Sequence, residues 1–137
     1  MPYNEKEILE KMGDRTYAQN ECFTRAVESI DMLSNGKSQR VEDRKCFNLD
    51  EALKTLKEYY DLGFLSIVST YSGEDPNGVQ GWHSFVVYDS SPVSAYTFYP
   101  GKKVEFHNAD FMKKVIGDSL DGLNFKDQIE IIRYEIG

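Results

Sequence analysis

Two short segments carry residue types that do chemistry together. Gln19-Asn20-Glu21-Cys22-Phe23-Thr24-Arg25-Ala26 sets a thiol two residues after a helix-capping asparagine, and Trp82-His83-Ser84-Phe85-Val86-Val87-Tyr88-Asp89 sets an imidazole at the head of an apolar strand pattern. A thiolate attacks carbonyl carbon, and an imidazole within hydrogen-bond reach holds that thiolate and later protonates the leaving amine. With Asn20 as cap, Cys22 falls in the first helical turn, where unpaired backbone N–H groups and the helix dipole favour negative charge. Such positions stabilise thiolates. Glu21 opposes this, since an adjacent carboxylate disfavours a second negative charge. The Gln19 side-chain amide and the Cys22 backbone N–H are candidate oxyanion donors. His83 is the preferred base over His107, because an apolar strand would hold its ring rigidly. Against this stands a plainer interpretation, a packed thiol at 22 and a half-buried, hydrogen-bonded imidazole at 83.

The elements that must position these groups follow from spacing. Asn4 with Glu7 forms a capping pattern ahead of Ile8, Leu9 and Met12, and Gly13 stops that helix. Phe23, Ala26, Val27, Ile30 and Leu33 recur at helical intervals up to Asn35-Gly36. Residues 37–45 form a polar stretch interrupted only by Val41. Asn48 then caps a third helix, with Ala52, Leu53, Leu56 and Tyr60 as its inner face and Gly63 at its end. From Phe64 the period becomes two: strands over 64–71, 82–89 and 94–99, another over 103–107, and a last one in Ile129-Glu130-Ile131-Ile132-Arg133-Tyr134-Glu135-Ile136. A short helix is predicted over 110–116. Helices first and a mainly antiparallel sheet afterwards make a single α+β domain spanning 1–137.

The order of these parts resembles the papain-like cysteine peptidase and amidase superfamily. A cysteine opens a helix, and a histidine heads a later strand that another strand follows. The resemblance covers roughly residues 19 to 116, is carried by Gln19-Asn20-Glu21-Cys22-Phe23 and by the segment from Gly81 to Asp89, and looks closest to bacteriocin-leader-type peptidases, secreted effector amidases and glutamine deamidases. It implies N-terminal helices packed on the sheet, Cys22 as nucleophile, His83 as base and Gln19 at the oxyanion. The family also orients its histidine with an acid or amide. Asp89 cannot serve, being ~20 Å away along an extended strand. A hairpin folding about residues 90–92 sets His83 opposite the neighbourhood of Tyr99, where this chain reads Thr97-Phe98-Tyr99-Pro100, so Tyr99 takes that role and Thr97 is a weaker alternative.

Composition limits the choices. Across 137 residues, 23 acidic side chains against 16 basic ones give a net charge of −7. Such a surface repels phosphate backbones, so nucleic acid is not an expected partner. No apolar run reaches the length of a membrane span or signal core, so the expected location is cytoplasmic, or outside by a route without a cleaved signal peptide. The pairs Cys22/Cys46 and His83/His107 lack the close spacing of zinc ligands, and no cofactor is expected. The segment from Ser72 to Gly81, with three glycines and a proline, would form a cleft rim or lid. Two functions fit. One is a bacterial effector or toxin hydrolysing amides of a protein or peptide substrate as a peptidase, amidase or glutamine deamidase. The other is a non-catalytic acidic binding protein, such as an immunity or inhibitor protein, masking a basic cognate partner.

Overall fold

Two asparagines start helices as their spacing predicts. The Asn4 side chain accepts from Glu7 N at 2.9 Å ahead of α1 (Glu5–Met12), and Asn48 accepts from Glu51 N at 2.8 Å ahead of α3 (Leu49–Asp61). Gly63, at φ +87°, ends α3: its N–H reaches Tyr60 O and the Phe64 N–H reaches Tyr59 O, a pattern that needs a left-handed residue at this position. The remaining elements are α2 (Cys22–Leu33), β1 (Gln39–Cys46), β2 (Leu65–Glu74), β3 (Gln80–Ser90), β4 (Val93–Thr97), β5 (Glu105–His107), α4 (Ala109–Leu120) and β6 (Ile129–Glu135). This computed structural model describes residues 3–13, 15–16, 22–74, 80–90, 92–99, 101–120 and 129–136.

The six strands form one sheet in the order β1-β6-β2-β3-β4-β5, and every pairing is antiparallel. The chain is therefore α+β. Strand β6 lies inside the sheet, between β1 and β2, so β1 is joined to the other strands only through it. Both β1 and β2 run antiparallel to β6, and hence parallel to each other, which is why a helix, α3, must cross between them.

Alternation divides the sheet into two buried faces. Leu65, Ile67, Val86, Tyr88, Tyr96, Phe98, Ile132 and Tyr134 pack with Ile8 and Met12 of α1 and with Ala26, Ile30 and Leu33 of α2. Val68, Phe85, Val87, Val93, Ala95, Ile129 and Ile131 pack with Ala52, Leu56 and Tyr59 of α3 and with Met112, Ile116 and Leu120 of α4. At roughly 1.5–3 kcal/mol per large apolar side chain, burial on both faces is the main term holding the layers together.

Several expectations shift. The polar stretch 37–45 becomes strand β1, at the sheet edge. Its charged side chains discourage a further strand from adding there. They also hid it from a search for alternating apolar residues. On α3 the buried tyrosine is Tyr59 instead of Tyr60, lying beneath the guanidinium groups of Arg44 and Arg133, whose carbons are 5.1 and 5.0 Å from its ring centre. Phe23 is 38% exposed, outside the stripe assigned to it. Helix α4 runs one turn beyond its expected end. Strands take residues 72–74 and 80–81 of the expected lid, and its tip at 75–79 lies outside the described residues. No helix among the described residues is long and apolar enough to cross a membrane.

Candidate functional site

His83 shares its side of β3 with Phe85 and Val87, because the register to β2 runs unbroken from Thr70↔His83 to Ser66↔Val87. Phe85 and Val87 belong to the layer containing α3 and α4. The imidazole therefore projects from that face. Helix α2 covers the other one with Ala26, Ile30 and Leu33, and Cys22 is its first residue. The His83 ring thus points away from the face on which α2, the helix that Cys22 opens, packs. Cys22 remains a half-buried thiol at the start of its helix, and Cys46 a fully buried one. Gln19 lies outside the described residues.

The structure surrounds His83 with other groups. Continuing the register Val86↔Tyr96 and Val87↔Ala95 sets His83 across from Tyr99, as the hairpin argument requires. The Tyr99 ring stacks on the imidazole at 4.9 Å with an interplanar angle of 13°. Its hydroxyl, however, is directed to His107 Nε2, 3.2 Å away. The hydrogen-bond partner of His83 is Thr97, whose Oγ1 is 2.7 Å from Nε2. Thr97 Oγ1 also donates to Ser84 O at 2.7 Å. A hydroxyl has one proton, so with that proton on Ser84 O, His83 Nε2–H must be the donor to Thr97. His83 is thereby held as the Nε2–H tautomer, with the Nδ1 lone pair left as its basic site.

His107 was passed over in the sequence, and it is the second member of this cluster. Register Ala95↔His107 sets it on the same face as His83. Its ring stacks on Phe111 at 3.8 Å and 11°, and Phe85 presents an edge to both imidazoles at 4.8 and 5.9 Å. Phe111 is fixed because its N–H is capped by Asn108 Oδ1 at 3.0 Å, at the start of α4. The signal was available: Tyr99 and His107 flank the turn between two short strands, and matching parity brings both to one face.

Electrostatics set the charge state of the cluster. Burial pushes His83 below the ordinary histidine value, and proximity to His107 adds to the shift. Burial also lowers His107, opposed by Glu105, whose Oε2 is 3.7 Å from Nε2. The Tyr99 hydroxyl is pushed up, by burial and then by Glu105. Near neutral pH the cluster is thus two uncharged imidazoles, with the Tyr99 phenol stacked on one and hydrogen-bonded to the other, closed by phenylalanine rings. Among the described residues it includes no thiol.

The chain matches no family model, curated protein or solved structure.

Proposed function

We propose that this chain is a non-catalytic acidic binding protein of the immunity or inhibitor kind, whose partner is a basic protein. One observation supports the choice over cysteine-dependent amide hydrolysis: His83 shares its face of the sheet with Phe85 and the α3/α4 layer, whereas α2, which Cys22 opens, packs its core residues on the other face. A thiol nucleophile needs its base within hydrogen-bond reach. His83 Nε2 is engaged by Thr97 and its ring is stacked on Tyr99, an arrangement that supports the sheet edge. The net charge of −7 supplies long-range attraction to a positive surface, which speeds encounter and rejects acidic competitors.

The test compares the parent chain with Cys22→Ser. Both are assayed for turnover of peptide and glutamine amides, and the immobilised parent is used to isolate a basic protein for measurement as a purified pair. The expected result is no turnover by either chain, and a one-to-one complex whose affinity falls as salt rises. Turnover lost on Cys22→Ser would overturn the binding proposal and restore the hydrolase. A purified complex indifferent to salt would remove the electrostatic basis for the partner's charge.

A further inference from the structure

A cleft of about 310 Å³ opens between α3, α4 and the β3–β4 turn, lined by Leu53, Lys54, Lys57, Ser90, Pro92, Val93, Ala109 and Lys113. Its volume is at the lower end of the ~300–1,000 Å³ typical of small-molecule sites. Helical spacing builds it. Leu53 and Lys57 are one turn apart on α3, and Ala109 and Lys113 are one turn apart on α4. The floor is apolar, and three ammonium groups border it in a chain whose overall charge is −7. Lys57 pairs with Asp61 at 3.0 Å, whereas Lys54 and Lys113 form no ion pair among the described residues.

Ser90 supplies an independent indication. It is 9% exposed, and its Oγ has no hydrogen-bond partner among the described residues. The register Ser90↔Val93 directs it to the same face as Val93, and so towards the cleft. A buried hydroxyl without a partner is costly to the folded state, and a ligand acceptor would relieve that cost after a turn about one side-chain bond.

We propose that this cleft binds a small organic anion, a carboxylate or phosphate on a short apolar body. The apolar part lies on Leu53, Val93 and Ala109. The charged group sits between Lys54 and Lys113 and accepts from Ser90 Oγ. This site is on the α3/α4 side and is independent of the proposed protein partner.

Amide NMR titration of the whole chain tests it, with hexanoate and hexyl phosphate as probes and inorganic phosphate and hexylamine as controls. Saturable shifts are expected at Leu53, Ser90, Val93 and Ala109 with either amphiphilic anion. Lys54→Glu and Lys113→Glu should each weaken binding about tenfold, the loss of roughly one charge-assisted contact. Ser90→Ala should weaken it about threefold while leaving the unliganded protein as stable or more so, because the orphan hydroxyl is gone. That opposition keeps the test readable if a lysine variant folds poorly. The proposal is overturned if neither anion gives saturable shifts, if hexylamine binds as well, or if inorganic phosphate equals hexyl phosphate.

Discussion

Thr97 sets the tautomer of His83. Its Oγ1 lies 2.7 Å from both the Ser84 carbonyl oxygen and His83 Nε2, so the carbonyl takes the hydroxyl proton and the imidazole must donate. Nitrogen-15 NMR of the histidine rings should therefore find His83 protonated on Nε2 and bare on Nδ1 near neutral pH. Thr97→Val leaves a buried carbonyl and a ring N–H without their partner, and should cost about 1–3 kcal/mol in urea unfolding, with Thr97→Ser recovering most of it. A His83 ring protonated on Nδ1 alone would contradict this assignment of the Thr97 hydrogen bonds.

Acid should weaken the fold through the imidazole cluster. Burial holds both His83 and His107 below the ordinary histidine value. The unfolded chain therefore binds protons first as pH falls through ~6.5. For a histidine whose folded pKa is depressed, the stabilising contribution is complete above the unfolded value and is lost as pH drops towards the folded one. Urea midpoints should be lower at about pH 5.5 than at about pH 7.5, and His83→Gln should flatten that difference. An unchanged slope in the variant would remove His83 from the account.

The two cysteines should differ in access. Cys46 is 0% exposed, with its thiol directed at Thr55 Oγ1 3.7 Å away, and burial pushes that thiol up. Cys22 is only half-buried. Iodoacetamide should label Cys22 in the folded protein and reach Cys46 only once urea has unfolded it. Peptide mass analysis reads the two sites separately, and equal labelling of both would contradict the packing of β1 against α3.

Core substitutions should rank by layer. Ile131, from the inner strand β6, is fully buried between α3, α4 and the neighbouring strands. Ile131→Ala should destabilise by about 2–5 kcal/mol. Phe47 is 58% exposed, and Phe47→Ser should stay within about 0.5 kcal/mol. Chemical unfolding measures both. Comparable losses would mean that β6 is not the interior strand.

The local signals of the sequence were accurate where a side chain acts on its own neighbourhood. Asn4 and Asn48 cap helices, Gly63 closes one, and the strand containing Phe85, Val86 and Val87 alternates as written. Spacing also put His83 opposite Tyr99. It misassigned the hydroxyls, because Thr97 and Tyr99 are both within reach and only the positions of Ser84 O and His107 decide which ring each serves. Strand β1 escaped notice because its stabilisation comes from pairing with β6, for example Asp43 with Ile132 and Lys45 with Glu130, and from Arg44 lying over Tyr59, none of which leaves an apolar period in 39–46.

What the sequence determined by itself was the inventory: an acidic α+β chain, its helix ends, and the relative parity of residues within each strand. Parity states that His83 and Phe85 share a side, but not which helix waits there. That was decided when α1 and α2 settled on one face, α3 and α4 settled on the other, and β6 inserted between β1 and β2. The physical reason is that alternation is a property of one backbone, whereas the choice of face depends on contacts between segments far apart in the chain. That choice put the His83 ring on the α3/α4 side and the helix that Cys22 opens on the other.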